Sequence, residues 1–281
     1  MKHVVSFSGG RTSAYLVYLM EQKRKIETWD VDYVFMDTGA EHPGTYDFIE
    51  RCAKEFGINL TCLKAVINPR LGVGPTYQVI DIADIGWDLS MFSAISKKHG
   101  APYCPGGEHC TQHLKTIPYQ KYCRDKYGKG NYTTWCGIRV DELKRLKPKD
   151  GYKYLAEISS MTKNDILGWW SQQNFDLDID EWEGNCVFCI KKPINRVALA
   201  ALTNPNLANE FDSMLQSNDK NEKLKGAIYR GKLTLDGIAS FYDGYDADQI
   251  KSTMRVRKGC AISDGESCEV FGCQGDLFDD N

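Results

Sequence analysis

A run of glycines and hydroxyl side chains near the amino terminus is the stretch best suited to binding chemistry: Ser8-Gly9-Gly10-Arg11-Thr12-Ser13. Residues 4–6 before it read as a short buried strand, and residues 14–22 after it have the apolar face of a helix. Adjacent glycines let the backbone approach a ligand closely, and the N–H groups that start a helix attract an anion. The run therefore predicts a phosphate-binding loop without the lysine of a Walker-type loop, and the alternative is an ordinary glycine-rich turn.

Two cysteines about two thirds of the way along the chain have the spacing of a ligand pair. Cys186 and Cys189 form the CxxC sequence of a chain that contains eleven cysteines. Two thiolates at this spacing can hold one metal ion or one edge of an iron–sulfur cluster. A cluster, a zinc ion and inert buried thiols are the three alternatives, whereas Cys52 and Cys62 are expected to be small core residues.

The composition is that of a soluble globular protein with one large domain, or one domain and an appendage. The 281 residues are 42% hydrophobic and 26% charged, with a formal net charge of -3. This charge argues against wholesale nonspecific nucleic-acid binding and still allows a local basic face. We find no membrane-spanning run and no recognisable signal peptide, so we expect a cytoplasmic protein with reduced thiols and no membrane partner.

Strands and helices are predicted to alternate along the first part of the chain. Further strands are expected over residues 32–37, 59–65, 132–137 and 152–158, and helices over 46–56 and from 162 through 170. This order implies right-handed crossovers and an α/β fold with a doubly wound parallel sheet. Asp37 ends the second strand at the carboxyl edge, where such sheets collect ligands. We therefore expect Asp37 to serve a nucleotide site, with a turn-capping carboxylate as the alternative.

The rest of the chain is predicted to surround this sheet. Residues 66–107 form a loop-rich insert with one helix over 87–98, and residues 198–225 and 233–245 are expected to be helical. We expect a nucleotide-binding domain over 1–192 and a helical carboxyl-terminal region with a cysteine-containing tail over 193–281.

Motifs in the same order resemble those of the phosphoadenosine phosphosulfate (PAPS) reductase family and of the wider PP-loop ATP pyrophosphatases. The first loop is similar to SGGxxS, and Asp37-Thr38-Gly39 followed by Thr45-Tyr46-Asp47-Phe48 is similar to the second-strand motif. The resemblance covers residues 4–192 and implies an adenine nucleotide α hydrolase-like fold. It implies bound ATP, or a sulfonucleotide (PAPS or adenosine phosphosulfate, APS), and is compatible with Mg²⁺.

The resemblance also implies which residues act. Residues 138–145 resemble a segment in which arginines meet phosphate or sulfate, so Arg139 is a binding and catalytic candidate; a charge-paired helix is the alternative. Lys115 lies between Cys110 and Pro118 in the family's cysteine–basic–proline register and is a second catalytic candidate. The implied nucleotide-binding residues are Ser6, Ser8, Gly9, Gly10, Arg11, Thr12, Ser13, Asp37, Thr38, Gly39 and Arg139.

In reductase and thiolase relatives, a CxxC at this place joins an upstream cysteine to hold a [4Fe-4S] cluster. The resemblance therefore implies Cys110, Cys186 and Cys189 as ligands. The adjacent cysteine pair of the cluster-bearing APS reductases is not present, since Thr111 follows Cys110. The fourth ligand stays open: the protein candidates are Cys104, Cys136, Cys260, Cys268 and Cys273, and a non-protein sulfur is the alternative.

The carboxyl-terminal tail differs from that of sulfonucleotide reductases. Those enzymes attack sulfate with the cysteine of an E-C-G-x-H motif, whereas this tail has Cys273 without the glutamate or the histidine. Cys273 is the third catalytic candidate, as a persulfide carrier, because a thiolate is the required nucleophile. Gln274, Leu277 and Phe278 resemble the Q-x-x-L-F peptide that docks on the replication sliding clamp; a solvated acidic tail is the alternative.

These features predict ATP-dependent adenylation with pyrophosphate release, coupled to sulfur transfer onto a nucleic acid or a small molecule. The sulfur donor is expected to be a protein such as a cysteine desulfurase or thioredoxin. A PAPS or APS reductase that produces sulfite is one alternative. A nucleotide-binding, DNA-associated module without turnover is the other.

Overall fold

The computed structural model describes residues 1–100, 103–104, 107–217, 229 and 233–254. In its first part, strands and helices alternate as β1 (Lys2–Phe7), α1 (Arg11–Ile26), β2 (Val31–Asp37), α2 (Pro43–Phe56) and β3 (Leu60–Val66). The insert then contributes β4 (Thr76–Ile80), a 3₁₀ turn (Ile82–Asp84) and α3 (Ser90–His99).

The second part of the chain completes the sheet and then becomes helical. Its elements are β5 (Tyr103–Cys104), β6 (Gly107–Glu108), a π-helical turn (Thr111–Thr116), α4 (Ile117–Tyr127), β7 (Tyr132–Cys136), β8 (Tyr152–Tyr154), a 3₁₀ turn (Leu155–Glu157) and α5 (Lys163–Trp170). The helices α6 (Ile194–Thr203), α7 (Pro205–Ser217), α8 (Leu235–Ser240) and α9 (Ala247–Ser252) follow.

Six strands form one sheet in the order β4-β3-β2-β1-β7-β8. All neighbouring pairs are parallel except β3 and β4, which are antiparallel. Phe7 at the end of β1 is in register with Phe35 in β2, so both strands deliver their following loops to the same edge. The doubly wound α/β fold is confirmed, with an antiparallel edge strand that the sequence did not predict.

Both faces of the sheet are covered, because alternate side chains enter different cores. Val5 and Phe35 pack on the side that holds α1, α2 and α5. Val4 and Met36 pack on the opposite side against Tyr119 of α4. Burial on both faces explains why the central strands are nearly continuous apolar runs.

A third apolar cluster joins the carboxyl-terminal helices to the edge of the sheet. Phe188, Val197 and Phe211 pack in it together with Phe92 of α3 and Leu114 of the π-helical turn. The cluster thus contains residues from both sides of position 192. The division of the chain into domains at that position stays a prediction.

Several predicted elements have different boundaries in the structure. The segment 66–107 contains β4 as well as a helix that is shifted to Ser90–His99, and the strand expected over 152–158 ends at Tyr154. The helix expected to begin at 198 begins at Ile194 and is interrupted at Asn204, because Pro205 starts a new helix. The helix expected over 233–245 is confined to Leu235–Ser240, and α9 was not predicted.

Some predictions lie outside the described residues. These are the tail cysteines Cys260, Cys268 and Cys273 and the sliding-clamp peptide with Gln274, Leu277 and Phe278. Elsewhere, Cys52 and Cys62 are fully buried in the core, as expected. Among the helices of the described part, none combines the length and the apolar character that crossing a membrane requires.

Trp170 anchors α5 beneath the first loop and gives a test of the packing. Its side chain is fully buried, contacts Phe48 and Phe175, and donates an indole hydrogen bond to the Arg11 carbonyl at 3.0 Å. We expect Trp170→Ala to lower the free energy of unfolding by about 3–5 kcal/mol in urea titrations. Leu143→Ala, at a position that is 77% exposed, is the control and should change it by less than about 0.5 kcal/mol. Equal effects of the two substitutions would contradict this packing.

Candidate functional site

The first loop is held in a tight conformation by a glycine and a serine. Gly9 has a φ of +82°, and a Cβ placed there would lie 2.8 Å from side-chain atoms of Thr45 and Ile49. The Ser13 hydroxyl accepts hydrogen bonds from the Ser8 backbone N–H and hydroxyl, at 3.2 and 2.8 Å, and donates to the Gly10 carbonyl at 2.9 Å. The loop is therefore shaped by contacts within the protein itself.

Gly10 is the N-cap of α1, and no side chain caps that end of the helix. The first N–H groups of the helix thus lie at the mouth of the loop, where the helix dipole favours an anion. Thr12 and Ser13 are fully buried, so their hydroxyls maintain the loop. The family resemblance implies that Thr12 and Ser13 bind nucleotide; in the structure their hydroxyls contact protein groups.

A small cleft lies above the loop and is closed on one side by residues 176–185, which we call the acidic strap. The strap carries Asp176, Asp178, Asp180, Glu181 and Glu183. It packs tightly on the start of α2, because a Cβ on Gly44 would lie 2.7 Å from Ile179. The strap leads directly into Cys186, so one side of the cleft is continuous with the CxxC sequence.

Arg11 of the loop is held by this strap. Its Nε donates to Asp176 Oδ1 at 2.7 Å, and its guanidinium also donates to the Leu177 carbonyl at 2.6 Å. An incoming phosphate would therefore compete with a carboxylate for this cation.

Arg139 reaches the loop from the segment that follows β7. It is 3% exposed, and it donates to Thr12 Oγ1 at 2.9 Å and to Asp141 Oδ1 at 3.0 Å. Glu142 lies 3.8 Å from the same guanidinium. The segment is a series of turns in place of the charge-paired helix that was the alternative. The structure thus brings Arg139 to the predicted loop, with its charge shared by two carboxylates.

Asp37 organises the turn at the end of β2. It is fully buried; one oxygen accepts from the Gly39 N–H at 2.8 Å and the Tyr46 hydroxyl at 3.1 Å, and the other accepts from the Gly86 N–H at 3.3 Å. Burial raises the pKa of the Asp37 carboxyl above its usual value. These contacts are of the turn-capping kind. They hold Asp37 at the carboxyl end of β2, at the predicted edge of the sheet.

Cys186, Cys189 and Cys110 lie in one neighbourhood at the carboxyl edge of β2. Glu41, just after that strand, forms an isolated antiparallel bridge with Cys186. Burial raises the pKa of the Cys186 thiol well above its usual value, and the charges of Cys189, Glu41 and Cys110 add to this effect. The assignment of these three cysteines as ligands stays a prediction; Cys136 lies at the end of β7.

Two lysines lie buried beside these thiols. Lys115 is 3.2 Å from Glu41 Oε1. Lys192 donates to the carbonyls of Trp182 and Val187 at 2.6 and 2.9 Å, and burial lowers its pKa to about 8. In the part of the chain that the structure describes, no group of three or more His, Cys, Asp or Glu side chains is arranged to hold a metal ion.

Three histidines next to Cys110 also pack together. The ring of His99 lies 4.8 Å from that of His109 and 4.6 Å from that of His113, between centroids. Burial and the neighbouring imidazoles lower the pKa of His113 to about 4, so it is neutral near pH 7. No motif in the sequence predicted this histidine cluster.

Comparison with known proteins agrees with this geometry. Residues 2–78, from β1 into β4, match the sequence model of the phosphoadenosine phosphosulfate reductase domain. The chain is also similar to the "Uncharacterized nin region protein ORF290" of Escherichia phage lambda, with 49% identity over 285 residues that cover 99% of this chain and 98% of the phage protein. The chain belongs to the PAPS reductase family. The family resemblance read from the sequence is thereby confirmed.

Members of the PAPS reductase family are enzymes of sulfur chemistry that bind adenine nucleotides. In this member, sequence reasoning missed Glu41, Lys192 and Asp176. Glu41 directly follows Asp37-Thr38-Gly39-Ala40, so its position at the edge of the sheet was predictable from the sequence. The hydrogen-bond partners of Arg11 were not predictable from the sequence, because 165 positions separate Arg11 from Asp176.

The close approach at Gly9 predicts a specific cost of adding a methyl group. We expect Gly9→Ala to lower the free energy of unfolding by about 1–3 kcal/mol more than Gly72→Ala, and to weaken ATP binding. Gly72 is the matched control, because it has a φ of +80° and open space around a Cβ. Urea titration and calorimetry measure the two effects. Equal losses in both variants would mean that the contact with α2 is unimportant.

The contact between Arg11 and the strap predicts a gain of affinity. An ion pair of this exposure is worth about 0.2–1 kcal/mol, so Asp176→Asn should tighten ATP binding by up to roughly fivefold. The gain follows because the phosphate no longer competes with a carboxylate for Arg11. Asp178→Asn, which removes a neighbouring charge that is outside this contact, is the control. Weaker binding by the Asp176 variant would contradict the competition.

Proposed function

We propose that the protein binds ATP over the first loop and transfers an adenylyl group to a substrate oxygen, after which sulfur displaces AMP. The observation that supports this most strongly is the adjacency of a lysine-free phosphate-type loop and three gathered thiols, connected by the acidic strap. The implied nucleotide-binding residues are proposed on the same ground: Ser6, Ser8, Gly9, Gly10, Arg11, Thr12, Ser13, Asp37, Thr38, Gly39 and Arg139.

In the first step, a hydroxyl oxygen of the acceptor attacks the α-phosphorus of ATP. The new O–P bond forms as the bond to the bridging oxygen breaks, and pyrophosphate and a proton are released. The N–H groups at the start of α1 and the guanidinium of Arg139 would stabilise the charge that develops on the phosphates. In the second step, hydrosulfide attacks the carbon that bears the adenylate, and AMP leaves with the oxygen.

We also propose that Cys110, Cys186 and Cys189 hold a [4Fe-4S] cluster, which supplies a site where sulfur can bind. Three soft thiol donors suit iron–sulfur and zinc centres better than hard cations. A four-iron cluster contacts its ligands at separate corners, so its ligands need not converge on one point. We propose that Lys115, whose ammonium group lies 3.2 Å from Glu41 Oε1, interacts with an anionic group of the substrate.

Partners follow from the same chemistry. A sulfur-donor protein, such as a cysteine desulfurase, would deliver sulfur as a persulfide to these thiols or to Cys273. A dithiol such as that of reduced thioredoxin would then reduce the persulfide and release the hydrosulfide of the second step. A nucleic acid or a small molecule would be the acceptor. Docking on a sliding clamp through Gln274, Leu277 and Phe278 stays a prediction.

Pyrophosphate release separates the alternatives. We expect the anaerobically purified protein to release pyrophosphate from ATP when a sulfur acceptor is present. Sulfite formed from PAPS with thioredoxin would favour the reductase instead, although the tail lacks the E-C-G-x-H motif. Nucleotide binding without either product would favour the non-catalytic module.

The cluster assignment gives a visible test. We expect Cys186→Ala to abolish the brown colour of protein that is purified without oxygen, because it removes one of the ligands. Cys52→Ala is the control: this thiol is buried in the core away from the site, so the colour should persist. Colourless wild-type protein with one zinc per chain would contradict the assignment.

A further inference from the structure

The loop between β7 and β8 contains a run of cations that the proposed reaction does not use. Residues 143–149 have the sequence LKRLKPK, with four cations and no carboxylate. The Arg145 guanidinium is paired with Glu142. The remaining cations of the run are exposed: Lys144, Lys147 and Lys149. Within the described residues, neither Lys144 nor Lys147 forms an ion pair.

Two tyrosines of β8 hold this loop against the edge of the sheet. The Tyr154 hydroxyl donates to the Lys147 carbonyl at 2.6 Å, and the Tyr152 N–H donates to the Lys149 carbonyl at 3.0 Å. The Lys149 ammonium group lies 4.5 Å from the centroid of the Tyr152 ring, where the ring quadrupole attracts a cation. The backbone of the run is therefore fixed while its lysines stay exposed.

Helix α4 adds cations on the same side of the sheet. Tyr152 is in register with Thr134 of β7, and the Thr134 hydroxyl accepts from the Tyr119 hydroxyl of α4 at 3.0 Å. Because paired residues of neighbouring strands share a face, Tyr152 lies on the side that α4 covers. In α4, Arg124 is exposed and Lys121 is half-exposed, and neither forms an ion pair with a described residue. We call these cations of the loop and the helix the basic surface: Lys121, Arg124, Lys144, Lys147 and Lys149.

The basic surface differs from the cations at the cleft in its lack of carboxylate partners. Arg11, Arg139 and Lys115 each lie no more than 3.2 Å from a carboxylate oxygen. A local excess of cations on a chain with a net charge of -3 creates a positive field that steers an anionic partner. The segment that leads into the run begins next to Arg139, which contacts Thr12 of the first loop at 2.9 Å. A partner on the basic surface is thus next to a segment that ends at the nucleotide site.

We propose that the basic surface binds the phosphate backbone of a nucleic acid, which is the acceptor class of the proposed reaction. This inference rests on the proposed function and deepens it by naming the acceptor. Lysine ammonium groups bind phosphates as point charges, so they position a nucleic acid without reading its sequence. A nucleic acid is favoured over a membrane because the acceptor must extend from the loop to the cleft and present an oxygen there.

Fluorescence anisotropy of the full chain with a labelled random-sequence single strand, and with the corresponding duplex, tests the surface. Wild-type protein should bind, and the logarithm of its association constant should fall linearly with the logarithm of the salt concentration. The variant Lys144→Gln/Lys147→Gln/Lys149→Gln should bind at least roughly tenfold more weakly at about 0.1 M salt, with a salt slope that is smaller by about two to three.

The matched control removes the same number of charges elsewhere. Lys54→Gln/Arg70→Gln/Lys97→Gln replaces three exposed cations that lie outside the basic surface and form no ion pair with a described residue. This control variant should bind the oligonucleotides like the wild type. Equal losses in the two triple variants, or no binding of either oligonucleotide by the wild type, would overturn the inference.

Two further measurements distinguish this inference from its rivals. Binding of the wild type to vesicles of phosphatidylserine and phosphatidylcholine, but to neither oligonucleotide, would overturn it in favour of a membrane surface. Calorimetric titration with ATP separates it from the proposed function, because the Lys144/Lys147/Lys149 variant should keep the wild-type affinity for ATP. Wild-type protein that binds the oligonucleotides through these lysines and binds no ATP would support the basic surface and contradict the proposed reaction.

Discussion

The contact of Gly9 with the start of α2 is the constraint on which the site depends. Because there is no side chain at this position, the loop can lie directly on Thr45 and Ile49. The Ser13 hydroxyl then closes the turn, and the indole of Trp170 holds the Arg11 carbonyl from below. These three interactions direct the first N–H groups of α1 into the cleft. A bulkier or looser loop would turn the same helix dipole away from a ligand.

Three cations around the cleft are paired with carboxylates of the same chain. Arg11 contacts Asp176, Arg139 contacts Asp141, and Lys115 contacts Glu41. Binding a nucleotide would therefore exchange one anion for another, with little net desolvation of the cations. The acidic strap connects these exchanges physically, because it begins at the Arg11 contact and ends at Cys186. The nucleotide end and the thiol end of the site are thus parts of one continuous segment.

The parts of the fold that depend on local sequence were predictable. The order of strand, loop and helix around Gly9 and Gly10 follows from apolar periodicity, and the edge position of Asp37 follows from the parallel sheet. The strand β4 was not predicted because its side chains are half-buried or exposed. Its pairing with β3 is determined by tertiary packing. The interruption at Pro205 was readable from the sequence, whereas the partners of Arg11 and the orientation of Glu41 required the structure.

Within the site, too, local features were predictable from the sequence and long-range contacts were not. The types of the loop residues predicted where an anion would be attracted, but not that the Thr12 and Ser13 hydroxyls bind protein groups. The spacing of Cys186 and Cys189 predicted a ligand pair, and the folded chain places Glu41 opposite Cys186 in an antiparallel bridge. Contacts between residues that are far apart in the chain are determined by tertiary packing, which no single sequence motif encodes.

Calorimetric titration of the wild-type protein with ATP and, separately, with adenosine tests the central claim most directly. If the loop holds the phosphates, ATP should bind at one site per chain, and adenosine should bind at least roughly a hundredfold more weakly, a difference of about 2.7 kcal/mol. Equal affinities, or no heat with ATP, would mean that the loop does not bind the charged end of a nucleotide.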